Sequence, residues 1–171
     1  MSIRLMARIT IFMAVLFSVN VAFADSEIKA DNEFSPSYIS IKGHQEVKVE
    51  DWSNPEVCGQ CHKRQYDGWK SSMHANAFKD PVFQALWALG EKATKGKTKN
   101  HCAGCHSPIG TATKSITFDP DKGLHGGFEA PGVAAKGVSC DVCHTMSDTN
   151  ILKTKVLEHG NSSFEMDPGT L

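Results

Sequence analysis

Three times in this chain a pair of cysteines two residues apart is followed at once by a histidine. The runs are Cys58-Gly59-Gln60-Cys61-His62, Cys102-Ala103-Gly104-Cys105-His106 and Cys140-Asp141-Val142-Cys143-His144. A C-x-x-C-H run is the attachment signature of a c-type haem. Both thiols add to the porphyrin vinyl groups, the two-residue gap matches the vinyl spacing, and the adjacent imidazole is delivered to the iron from one side. Paired cysteines also suggest zinc, and six cysteines in a short exported chain suggest a disulfide framework. Neither alternative requires a His after every second cysteine, and all six cysteines fall within the three motifs. The motifs therefore predict three covalently attached haems. Cys58, Cys61, Cys102, Cys105, Cys140 and Cys143 carry the porphyrins, and His62, His106 and His144 are the proximal iron ligands.

Residues 1–24 have the form of a secretory signal peptide, with Arg4 and Arg8 ahead of the apolar run Ile9 to Phe17 and an Ala22-Phe23-Ala24 cleavage site. That run is too short to span a membrane, and no later segment is apolar for long enough. No cysteine sits just after the cleavage site, which argues against a lipid anchor there. Haem attachment of this type takes place beyond the cytoplasmic membrane, so signal and motifs agree on a periplasmic or extracellular location. Losing the signal removes two of the 18 basic residues and none of the 19 acidic ones, taking the formal charge from −1 to −3. No basic stripe points to nucleic acid. The remaining chain is one domain by size. It is too short to bury a large core of its own, so the macrocycles are expected to supply much of it.

The expected organisation is a polar arm over 25–51 and a trihaem domain over 52–171. In the arm, 38–42 and 47–49 alternate weakly, as in a short hairpin or an extended arm. Asn54-Pro55 and Asp80-Pro81 read as helix starts, a cap followed by proline in the first turn. The first opens a helix carrying the first motif, along which Tyr66, Trp69 and Met73 recur at helical spacing. The second opens an amphipathic helix over about 80–92, with Val82, Phe83, Leu86, Trp87 and Leu89 as its apolar residues. The lysine-rich stretch from Glu91 to Asn100 reads as a solvated face, with docking of an acidic redox partner as the alternative. Ser107-Pro108 ends the second motif's helix, 111–137 reads as a long loop, and 151–158 as a strand or short helix. The gaps of 39 and 33 residues between successive motifs argue against a tandem module.

The sixth iron positions decide the chemistry. A second His or a Met makes a saturated carrier, whereas an open position admits small molecules. His44, His74, His101, His125 and His159 are spare. His74 leads as a distal ligand, near the end of the helix that begins at the first motif and beside the small Ala75. His125 and His159 follow, each with glycine neighbours that permit close approach to a porphyrin. His101 abuts Cys102 and cannot serve its own haem; Met73 and Met146 are reserve ligands.

The run from Val57 to His62, then Trp69-x-x-Ser72-x-His74-Ala75, then Gly137-Val138-Ser139 leading into the third motif, resembles the multihaem cytochromes c. It is most similar to the branch of tetrahaem electron carriers, hydroxylamine oxidoreductase and pentahaem nitrite reductase. The resemblance covers residues 52–147. It implies a mostly α, haem-dense fold with much loop and little or no sheet, largely bis-histidine irons, and His74 as a distal ligand. Such proteins generally carry four or more haems, so a chain with three motifs is expected to be truncated or part of a longer cytochrome. The function implied is electron transfer, with redox proteins, other cytochromes or further haem domains as partners. The alternative is an oxidoreductase acting on a small nitrogen or sulfur compound at one open iron, for which Tyr66 and Lys70 are candidate proton-transfer groups.

Overall fold

The computed structural model describes residues 37–123, 126–149 and 161–169. The signal sequence, His125, the 151–158 segment and His159 lie outside these residues. The chain enters through a short strand β1 (Ser40–Ile41) and two 3₁₀ turns, Lys42–His44 and Val49–Asp51. The second alternating stretch of the arm is therefore not a strand, and no hairpin forms there.

Helix α1 (Pro55–Cys61) carries Asn54 at its cap position and Pro55 in its first turn. It stops at His62, whose φ of −96° and ψ of 53° lie outside the helical region. Helix α2 (Lys63–Lys70) then starts afresh, and α3 (Met73–Asn76) follows behind Ser72. The single helix expected from the first motif to His74 is thus three short ones. The proposed face is uneven as a result: Tyr66 and Trp69 are half-buried, while Met73 is 72% exposed.

Helix α4 (Pro81–Thr94) is capped as expected, Asp80 Oδ1 accepting from the Phe83 N–H at 2.7 Å. It runs beyond 92 because Lys95, in the left-handed region, closes it by donating its N–H to the carbonyls of Glu91 and Lys92. Trp87 and Ala88 face inward, but Val82, Leu86 and Leu89 point out and are 54–65% exposed. This helix is apolar on two sides. Helix α5 (Lys99–His106) ends where Ser107-Pro108 begins α6 (Pro108–Ala112).

The stretch read as a long loop contains an antiparallel pair, β2 (Thr117–Phe118) with β3 (Phe128–Glu129), and a 3₁₀ helix, Gly132–Lys136. Helix α7 (Cys140–His144) leads into β4 (Met146–Thr149), and the final described strand is β5 (Phe164–Met166). β5 is central, parallel to β1 and antiparallel to β4, with Ser40 opposite Glu165 and Ile41 opposite Met166. The segment near the C-terminus is therefore the middle strand of a small sheet. The described chain is mostly helical, with two small sheets where little or none was expected.

Two apolar clusters hold these pieces. One joins Ile39 and Ile41 of the arm to Trp52, Ile109, Val142 and Met166. The other joins Phe78, Trp87, Ala103, Ile116 and Phe128. Each contains a residue from inside a C-x-x-C-H motif: Val142 in the first, Ala103 in the second.

Candidate functional site

Each motif lies at the end of a helix, and helical geometry sorts its residues. Positions i, i+3 and i+4 share a face while the two residues between turn the other way. In α5, Ala103 and Gly104 are buried and Cys105 is exposed. In α7, Asp141 and Val142 are buried while Cys143 and His144 are exposed. The intervening residues thus serve as the packing face, the second thiol of each pair is exposed, and the first thiol is half-buried, as is His106. Gly104 sits where a Cβ would crowd Ser37 Oγ (2.7 Å) and Ser162 Oγ (2.9 Å), so the second motif needs glycine there. In α1 Gly59, at the position of Ala103, lies against the ring of Tyr66.

The six cysteines are free, the first of each pair half-buried and the second exposed. Burial pushes the Cys102 thiol up from its ordinary value, and the nearby Glu91 carboxylate adds to this. Burial also raises Cys140, which lies within hydrogen-bonding reach of Cys58. Among the described residues, no three His, Cys, Asp or Glu side chains converge as a metal ion would require. Cys58 and Cys140, of different motifs, approach each other without a third ligand joining them.

Of the three motif histidines, His106 is the one set in a defined frame. Its Nδ1 is 2.7 Å from the Ala77 carbonyl oxygen. A carbonyl can only accept, so Nδ1 carries the proton and Nε2 keeps its lone pair for a metal. The imidazole also stacks on Phe83, with centroids 3.5 Å apart and planes 3° apart. His62 and His144 are exposed. With two free thiols beside a histidine in each motif and Nε2 of His106 left for iron, these residues fit a c-type haem.

The first and third motifs are neighbours. The Ser53 N–H donates to Asp141 Oδ2 at 2.5 Å, and Lys136 Nζ bonds Glu56 Oε1 at 2.6 Å. The Lys136 ammonium holds the Glu56 carboxyl below its usual range. Between them lies the Trp69/Ser72/His74 segment. Trp69 Nε1 donates to the Val138 carbonyl at 2.8 Å, and the Val138 N–H donates to the His74 carbonyl at 2.9 Å. The peptide two residues ahead of Cys140 is clamped from both sides. Ser72 sets the turn, its Oγ donating to the Trp69 carbonyl at 2.7 Å and accepting from the Ala75 N–H at 3.4 Å.

The His74 side chain is exposed beside the lead-in to the third motif. His44 and His101 are exposed as well, and the His101 carbonyl accepts from Asn161 Nδ2 at 2.6 Å. His125 and His159 lie outside the described residues. Sequence reasoning did not assign the Ala77 carbonyl, the Phe83 ring or the Asp141 carboxylate to the site. A backbone carbonyl leaves no trace in a sequence. Phe83 appeared only as one apolar position of α4, and Asp141 only as a filler between two cysteines.

A mostly helical chain bearing such attachment motifs is a c-type cytochrome. The family model described as cytochrome c554 and c-prime matches residues 57–145, just over half of the chain and all three motifs, and the protein belongs to that family. Membership implies covalently bound haem and electron transfer. No curated protein and no solved structure matches the chain. Among the described residues, no helix is long and apolar enough to cross a membrane.

Proposed function

We propose that this protein carries three covalently attached haems and passes single electrons between redox partners outside the cytoplasm. The observation that carries the reading is the sorting of residues on α5 and α7, which buries the intervening pair and leaves the second thiol of each motif exposed and the first half-buried. Each bound haem supplies a reversible one-electron couple at its iron. The chain does the rest. Cys58, Cys61, Cys102, Cys105, Cys140 and Cys143 fix the macrocycles, and His62, His106 and His144 bind the irons. The Ala77 carbonyl holds His106 in the tautomer that binds metal. The closeness of Cys58 and Cys140 supports transfer between the first and third sites. His74, next to the third motif, is the leading distal ligand, with His125 and His159 as the other candidates. The secretory form of residues 1–24 supports export to the periplasm or beyond. Other cytochromes or further haem domains fit as partners.

The test is an optical spectrum of the matured protein, oxidised and reduced, with haem counted against protein. Three low-spin haems indifferent to carbon monoxide are expected. Absence of haem bands would overturn the reading. A high-spin fraction that binds added ligand would replace the carrier with an oxidoreductase working at an open iron.

A further inference from the structure

Helix α4 has a second apolar side that the core does not use. Val82, Leu86 and Leu89 lie on its outer surface and are 65%, 63% and 54% exposed. They follow one another at intervals of four and three residues, so they form one stripe. The helix then runs into Lys92, Lys95, Lys97 and Lys99, the first three exposed and the fourth half-buried. The one carboxylate between Pro81 and His101 is Glu91. It is 7% exposed and accepts from Thr98 Oγ1 at 2.9 Å, so solvent meets the lysines and not their counter-charge. Among the described residues none of these four lysines is ion-paired, whereas Lys42, Lys122 and Lys136 are matched to Asp167, Glu129 and Glu56.

The charge is therefore divided. Residues 81–101 carry four lysines and one acid, a formal +3, while residues 25–171 together carry −3, leaving −6 on the remainder. A surface with an apolar centre and a rim of one sign is what a complementary protein recognises, and the rim steers its approach. The face also lies beside a redox site, because Lys99 opens α5, which carries Cys102, Cys105 and His106.

We propose that the outer face of α4 and the lysine loop after it form the docking surface for an acidic electron-transfer protein, seated on Leu86 and Leu89 next to the second haem-attachment motif. This rests on the electron-transfer reading above. The other exposed large apolar side chains, Val57, Met73 and Met146, are single residues on three different elements and form no stripe along one helix.

The experiment uses the matured protein, with reduced flavodoxin as a strongly acidic electron donor and photoreduced neutral flavin as a small donor that needs no docking. Stopped-flow reduction by flavodoxin should slow about tenfold at low salt when Lys92 and Lys95 are both changed to Glu, a typical loss for removed steering. Added salt should erase the difference, and reduction by neutral flavin should be unchanged. Leu86→Ser with Leu89→Ser should weaken flavodoxin binding several-fold while leaving the salt dependence and the haem spectrum alone. Equal slowing by Lys63→Glu with Lys70→Glu would mean that net charge alone matters, and would overturn the proposal. So would a changed haem spectrum in the leucine variant, which would make the stripe a haem wall. Self-association or binding to phosphatidylglycerol vesicles that is lost in these variants, without an effect on flavodoxin, would assign the face to another occupant. A protein without haem bands would fail the underlying function instead, and neutral flavin would then reduce nothing.

Discussion

The His106 imidazole lies flat against the Phe83 ring, 3.5 Å between centroids and 3° between planes, while its Nδ1 donates to the Ala77 carbonyl at 2.7 Å. Two contacts from two elements fix both the plane of this ligand and the nitrogen it offers. Replacing Phe83 with Leu removes the stack but not the ligand. The expected outcome is an unchanged haem count and low-spin spectrum with a shifted electron paramagnetic resonance signal for one haem, because the imidazole plane sets the orientation of the iron orbitals. The lost aromatic pair should cost about 0.5–1.5 kcal/mol beyond the lost area. Phe83→Tyr should restore the signal. An unaltered resonance in Phe83→Leu would show that the stack does not orient the ligand.

His74 is suited to a clean ligand test. Its structural role runs through its backbone carbonyl, which accepts from Val138, and its side chain is exposed. His74→Leu should therefore leave the fold in place and convert one haem to a high-spin, carbon monoxide-binding form. A spectrum that stays fully low-spin would remove His74 from the distal ligands.

Gly137 has φ 67° and ψ −132°, and a Cβ there would run into the His74 carbonyl. Gly137→Ala meets a disfavoured backbone and a collision with main chain that no rotamer relieves. A loss on the order of 1–3 kcal/mol is expected from the denaturant midpoint. Since the same carbonyl anchors Val138, the third site should loosen first.

Asp141 is 2% exposed, and its Oδ2 accepts from the Ser53 N–H just ahead of α1. A charge-assisted bond inside the fold is worth more than a surface pair. Asp141→Ala should cost roughly 1.5–3 kcal/mol, and Asp141→Asn, which keeps an acceptor, less. Equal denaturant midpoints for the two variants would mean that the bond is not what Asp141 contributes.

The Glu56–Lys136 pair joins the same two regions at the surface, with the side chains 47% and 27% exposed. The Lys136 hydrogen bond lowers the Glu56 value, so the folded state favours the carboxylate. This stability is present above the ordinary carboxyl pKa of about 4.3 and is lost as pH falls through the lowered folded value. Glu56→Gln should cost under about 1 kcal/mol at neutral pH and less with added salt. The stability difference from the parent should disappear in acid. A gap persisting at pH 2 would assign the effect to packing.

The attachment chemistry was legible because it is local. Cys58, Cys61 and His62 lie within one helical turn of one another, and their spacing places them without reference to the rest of the chain. The Asp80-Pro81 start of α4 was legible for the same reason, since an N-cap is satisfied within its own turn. The break at His62 was not, because a helical apolar period continues across it.

Residue spacing by itself determined the three thiol pairs, their histidines and the amphipathic character of the helices between them, all interactions over a few residues. Tertiary structure alone decided that β5 enters between β1 and β4, that Val138 is clamped by Trp69 and His74, and that His106 turns Nδ1 to Ala77. These contacts join positions 15 to 125 residues apart, as Thr149–Phe164 and Ser40–Glu165 do. Many partners of similar chemistry compete over such distances. Only the packing of the two apolar clusters selects among them.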